Sequence, residues 1–138
     1  HTLIAAFHQV RTVIPDAKLM IVGRYENDEY FRRLKDDCGS AVIFTGYIPD
    51  SELLHLYREC NVYATCSLLE GFNLPIVEAQ RWGKPVVAFD IGPHKEVVNN
   101  GFLVKEGDTA EFGHKIVYLL SQEDDHDGRN CRRRTVQI

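Results

Sequence analysis

Five short, largely apolar runs lie along the chain: Leu19–Gly23, Ala41–Gly46, Asn61–Ser67, Pro85–Asp90 and Gly101–Val104. Their apolar residues are nearly continuous and do not alternate with polar ones. That is the pattern of strands buried on both faces, as in a parallel sheet. Such strands need helices above and below them, and the intervening segments supply helical periodicity. Leu3, Ile4, Phe7, Val10 and Ile14 recur at helical spacing ahead of Pro15. Residues 26–36 read as an exposed amphipathic helix, with Tyr30, Phe31 and Leu34 on its apolar side. Pro49-Asp50-Ser51 opens a helix to about Arg58, with Asp50 or Ser51 as its cap. Leu74–Trp82 predicts a helix stopped at Gly83, with Pro85 close behind. Asp108-Thr109-Ala110-Glu111 resembles a capping box, and Phe112, Ile116 and Leu119 form the stripe that follows. The fold class implied is α/β, a Rossmann-like parallel sheet with helices on both faces and right-handed crossovers.

Length and charge narrow the function classes. The 138 residues suit one domain. Sixteen basic against twenty acidic residues leave a net charge of −4, with no basic excess to recommend nucleic acid. The longest unbroken apolar runs, Leu3–Phe7 and Ile116–Leu120, fall far short of the ~18 residues of a membrane span. No signal-peptide pattern is present. The four cysteines, Cys38, Cys60, Cys66 and Cys131, form no CxxC pair. Cys60 and Cys66 flank a strand and read as small buried hydrophobes, which suits a reducing, cytoplasmic setting. Residues 1–121 carry the fold pattern, and 122–138 read as a charged C-terminal tail, with Glu123-Asp124-Asp125-His126-Asp127 followed by Arg132-Arg133-Arg134. A solvated, frayed end is expected there, with a basic patch for phosphate or a partner as the functional rival.

In an open parallel sheet, ligands bind beyond the carboxyl ends of the strands. The richest turn on that side follows Asn61–Ser67 and reads Leu68-Leu69-Glu70-Gly71-Phe72-Asn73-Leu74-Pro75. Gly71 removes a side chain where a ligand could approach the backbone. Asn73 is a candidate cap and Pro75 suits the first helical turn. The free N–H groups of such a turn, at the positive end of the helix dipole, suit phosphate. Glu70 and Glu78 bracket the helix start, one placed for sugar hydroxyls and the other for ribose hydroxyls; carboxylates there also simply complement the dipole. Of six histidines, scattered and without HExxH, only His94 falls near this rim, in the loop Gly92-Pro93-His94. Lys95 beside it, and Arg24 after the strand ending at Gly23, are further candidates.

Glu70-Gly71-Phe72-Asn73-Leu74-Pro75-Ile76-Val77-Glu78-Ala79 resembles the E-G-F-G-L-P-x-x-E-A, or E-x7-E, motif of retaining nucleotide-sugar glycosyltransferases of the GT-B type, family four. Phe44-Thr45-Gly46-Tyr47-Ile48-Pro49 is similar to the family's F-x-G-x-v-p segment, and Gly83-Lys84-Pro85-Val86-Val87-Ala88 to its G-k-P-V-V-a segment. Gly92, Glu96-Val97-Val98 and Asn100-Gly101-Phe102-Leu103-Val104 resemble the segments that follow, so the likeness runs in order over residues 2–121. The resemblance implies the donor-binding half of a GT-B fold. It implies that Glu78 binds ribose hydroxyls and Glu70 the donor sugar, where Glu70 is a sugar-binding group rather than a nucleophile. Backbone at Gly71, Phe72, Asn73 and Leu74 meets the distal phosphate or sugar, and backbone at Tyr47 and Ile48 meets the base. It implies a hexosyl transfer with retention from a UDP- or GDP-sugar, with no required cofactor and no metal. The acceptor is a glycan or lipid-linked sugar held by a domain outside this chain, and the setting is cytoplasmic, peripheral to the inner membrane face.

Two departures from the family pattern matter. Asn73 stands where the motif commonly has glycine. The family's first strand, with the Arg and Lys that clamp the diphosphate, would precede His1. On that reading the first strand is missing from the chain, Leu19–Gly23 and Asn61–Ser67 flank a gap, and the piece alone is inactive and prone to self-association through exposed edges. The alternatives are a catalytically silent nucleotide-sugar-binding module and, further off, a sugar-nucleotide epimerase. No G-x-G-x-x-G follows a strand, which disfavours a dehydrogenase.

Overall fold

The computed structural model describes residues 1–25, 29–122 and 135–137. Its elements run α1 (Thr2–Val13), β1 (Lys18–Val22), α2 (Glu29–Asp37), β2 (Val42–Gly46), α3 (Asp50–Glu59) and β3 (Val62–Thr65). They continue through α4 (Leu74–Arg81), β4 (Val86–Phe89), α5 (Gly92–Val97), β5 (Gly101–Val104), α6 (Thr109–Gln122) and β6 (Thr135–Gln137). The strands form one sheet in the order β2-β1-β6-β3-β4-β5, and every neighbouring pair is parallel.

The near-continuous apolar strands are explained by cover on both faces. Along β3, Val62 and Ala64 face one side and Tyr63 the other; along β4, Val87 and Phe89 face one side and Val86 and Ala88 the other. On the first side they pack with Leu3, Phe7 and Val10 of α1 and with Phe112, Ile116 and Leu120 of α6. On the second they meet Tyr57 of α3, Ile76 and Ala79 of α4 and Val97 of α5. β3 and β4 therefore have no wet face, and polar alternation there would bury unpaired groups.

The gap expected between β1 and β3 is filled by the chain's own end. Leu19 pairs with Val136 on one side of β6, and Val62 pairs with Val136 on the other. The Asn61 amide donates to the Thr135 carbonyl at 2.9 Å, and the Thr135 amide donates to Asn61 Oδ1 at 2.8 Å. Val136 is fully buried. A strand-wide gap presents two rows of backbone groups that must be paired and an apolar hole that must be filled, and Thr-Val-Gln meets both needs. Three residues are too few to show a period, so the charged stretch before them dominates the sequence reading of a frayed tail. Residues 123–134, with the acidic and arginine runs, lie outside the described residues.

Local differences from the sequence reading have simple causes. The N-cap of α3 is Pro49, and neither Asp50 nor Ser51 caps it; Asp50 and Glu52 instead place negative charge in its first turn. Asp108 does cap α6, its Oδ1 accepting from the Glu111 amide at 3.0 Å. Residues 92–97 are helical where a loop was expected, because Pro93 fits the first turn of a helix. Cys38 and Cys60 are buried and Cys66 is half-buried, all three as free thiols.

Gly101 has no substitute. Its φ is +141°, and a Cβ there would lie 1.9 Å from the Val86 carbonyl oxygen, inside the β4–β5 pairing. Gly101→Ala should lower the unfolding free energy by about 2–4 kcal/mol, the combined scale of left-handed strain and overpacking. Urea unfolding with a loss below about 0.5 kcal/mol would contradict this close packing.

Candidate functional site

Because the strands are parallel, their carboxyl ends share one rim. Gly23, Gly46, the turn after β3 and Asp90 lie there, while Gly83 and Pro85, which lead into β4, lie at the opposite rim. The turn from β3 into α4 carries the sequence-predicted residues. Glu70 is half-buried, and Gly71, Phe72 and Leu74 are exposed. Nothing in the chain requires glycine at 71, where a Cβ would meet open space. Helix α4 begins at Leu74, with Pro75 in its first turn. The first N–H groups of a helix have no intrahelical partner, so this helix start offers donors to the rim.

Asn73 is the only non-glycine residue with positive φ among the described residues, at φ 55° and ψ 64°. It is the N-cap of α4 by position, yet its side chain makes no capping hydrogen bond. Its amide nitrogen Nδ2 lies 2.9 Å from Nε2 of His94. His94 is completely buried, and its Nδ1 donates to the Phe89 carbonyl at 2.7 Å. The structure thus places His94 in the interior below the rim rather than on the surface of it.

Two buried tyrosines lie near the carboxylates. The Tyr57 phenol, in the last turn of α3, lies beside the exposed Glu78 carboxylate of α4. Burial, the neighbouring Tyr63 and the hydrogen bond and charge of Glu78 push the Tyr57 phenol well above its ordinary value. Burial also raises Tyr63, whose phenol feels the negative charge of both Glu70 and Glu78. Glu70 stands in the turn after β3 and Glu78 in α4, so both carboxylates lie on the side of the sheet where β3 passes into α4. Sequence reasoning missed these tyrosines; the available signal was a bulky aromatic in Val-Tyr-Ala-Thr, a strand otherwise built of small and branched residues.

At the other end of the rim the Arg24 guanidinium stacks on Tyr47, 4.9 Å from the ring centroid, joining the carboxyl ends of β1 and β2. Tyr47 is exposed and Ile48 half-buried. Lys95 pairs with Asp90 at 3.3 Å in an exposed ion pair. Gln80 ties α4 to the loop before β5: its Nε2 donates to the Val97 carbonyl at 2.7 Å, and its Oε1 accepts from the Asn99 and Asn100 amides. Among the described residues, no group of three or more His, Cys, Asp or Glu side chains is placed to hold a metal ion.

The family described as glycosyl transferases group 1 matches residues 1–122 of the chain. The GDP-mannose-dependent monoacylated alpha-(1-6)-phosphatidylinositol monomannoside mannosyltransferase of Corynebacterium glutamicum is 29% identical over 86% of this chain and 34% of its own length. The phosphatidyl-myo-inositol mannosyltransferase of Mycobacterium leprae is 30% identical over 88% of this chain and 33% of its own. Among solved structures, Anabaena HepE in complex with UDP-glucose matches with a TM-score of 0.73 and 29% identity, over 89% of this chain and 35% of that one. The chain therefore spans about a third of the length of these relatives.

Burial beside this rim sets an alkaline limit on stability. The Cys66 thiol is pushed up from 9.0 to about 12, and the two phenols also titrate above their ordinary value of 10.0. A raised folded value means the unfolded chain loses its protons first, so stability is intact below pH 9 and falls as pH rises through 9–12. The urea midpoint should drop from pH 9 to 11, and less steeply in a Cys66→Ser/Tyr57→Phe variant. Parallel curves for the two proteins would contradict the burial of these groups.

Proposed function

The chain belongs to the glycosyl transferases group 1 family, and from that membership and the rim geometry we propose that it forms the donor-binding part of a retaining nucleotide-sugar glycosyltransferase. The observation that carries the reading is the placement of Glu70 just before α4 and Glu78 within it, at the carboxyl rim of a parallel sheet. Glu78 accepts hydrogen bonds from the ribose hydroxyls, with the Tyr57 phenol beside its carboxylate. Glu70 accepts from hydroxyls of the donor sugar. Between them the amides of Gly71, Phe72, Asn73 and Leu74 face the distal phosphate, where the helix dipole favours negative charge. Their role in the reaction is electrostatic: charge grows on the departing diphosphate as the glycosidic bond breaks, and preorganised N–H groups stabilise it. Backbone at Tyr47 and Ile48 borders the base, and the Arg24–Tyr47 pair closes that end.

The donor is a nucleoside-diphosphate sugar of the UDP or GDP class. A GDP-mannose-dependent relative and a UDP-glucose-bound neighbour both support that class. The acceptor, a glycan or lipid-linked sugar, is held by a part of the protein beyond this domain, in keeping with relatives about three times as long and with a phosphatidyl-myo-inositol mannosyltransferase among them. Free thiols at Cys38, Cys60 and Cys66 suit a reducing, cytoplasmic compartment. No helix among the described residues is long and apolar enough to cross a membrane.

Calorimetry with UDP-glucose and GDP-mannose tests the two carboxylates. Glu78→Gln should weaken binding of the preferred nucleotide sugar by about tenfold, the scale of one charge-assisted hydrogen bond. Glu70→Ala should weaken the nucleotide sugar while leaving the free nucleoside diphosphate within about twofold, since only the sugar loses a partner. Unchanged affinity in Glu78→Gln, or equal losses for both ligands in Glu70→Ala, would remove these roles.

A further inference from the structure

We propose that His94 is a positioning residue for the turn between β3 and α4: it holds Asn73 in the left-handed conformation that aims the first amides of α4 at the donor. The proposal rests on the donor-site reading above and adds a residue to it that does not touch ligand. The Phe89 carbonyl can only accept, so Nδ1 of His94 carries the proton and Nε2 offers a lone pair. That lone pair accepts a hydrogen bond from Asn73 Nδ2 at 2.9 Å. Both ring nitrogens are spent inside the protein, and the ring is fully buried, so no ligand reaches it. The bridge runs from the end of β4, through α5, to the residue that starts α4. It links the strand-end backbone, a fixed reference, to the turn whose direction matters.

The need for such a bridge follows from the residue at 73. Glycine occupies left-handed backbone without penalty, whereas asparagine does so at a cost that its surroundings must offset. Asn73, 7% exposed, has given up the capping bond it would ordinarily make and spends its amide on His94. His94 is thus the support that an asparagine requires at this position and a glycine would not.

That dependence gives the test, a rescue. In calorimetric titrations with UDP-glucose and GDP-mannose, His94→Leu should weaken the bound nucleotide sugar by about tenfold, and His94→Leu/Asn73→Gly should recover to within about threefold of the parent. A double variant as weak as His94→Leu would show that His94 only fills the core and would overturn the proposal. Should His94→Leu fail to fold, Asn73→Ala and Asn73→Gly carry the same comparison with His94 intact. Alanine should lose about tenfold and glycine no more than about threefold, and equal affinities would overturn the proposal. A readout without ligand separates this proposal from the donor reading. The amide-to-Hα coupling of residue 73 should report left-handed backbone in the parent and in Asn73→Gly, and its loss in Asn73→Ala. Ring nitrogen shifts should show His94 protonated at Nδ1 alone. If nothing binds but these signatures hold, the donor reading fails and the bridge stands; an Nε2–H tautomer, or left-handed backbone unaltered in Asn73→Ala, sinks the bridge itself.

Discussion

The parallel pairing of the strands, around β3 and β4 that are buried on both faces, is the constraint on which the rest depends. A parallel sheet requires each strand to return by a crossover, and right-handed crossovers put helices on both sides. Every carboxyl end then falls at one rim, and every strand-to-helix turn on that rim opens with free backbone donors. The residues proposed to meet the donor stand where β3 ends and α4 starts, with Tyr57 and Tyr63 of α3 and β3 packed behind them.

The second constraint is completeness of the sheet. β1 and β3 do not pair with each other; Thr135–Gln137 lies between them and hydrogen-bonds to both. The central position is the one that an α/β sheet can least leave open, because the backbone groups of both neighbours need partners there. Val136 fills it with a fully buried apolar side chain and a backbone paired on both sides.

Much of this was legible in the sequence, for physical reasons. The strand in Pro85–Asp90 and the helix over residues 74–81 announce themselves because burial on two faces leaves β4 no polar residue and because Gly83 and Pro85 leave a plain stop. The motif residues Glu70 and Glu78 were legible through a resemblance, and the structure adds the buried Tyr63 whose phenol feels the charge of both. β6 was not legible, since three residues carry no period. The roles of Asn73 and His94 were hidden for a different reason. A capping residue and a left-handed residue look alike in sequence, and a histidine after Gly-Pro reads as a surface loop until the fold shows it enclosed.

We propose that the rim between β3 and α4 binds a nucleoside-diphosphate sugar. Mapping amide shift changes on the ¹⁵N-labelled chain during titration with UDP-glucose and GDP-mannose tests it most directly, since it registers weak binding and reports position. The account predicts that the largest changes fall on Glu70, Gly71, Phe72, Asn73, Leu74 and Glu78, with a second group at Tyr47 and Ile48. Changes centred on the opposite rim at Gly83 and Lys84, or on the cleft lined by Phe7, Arg11 and Cys38, would contradict it.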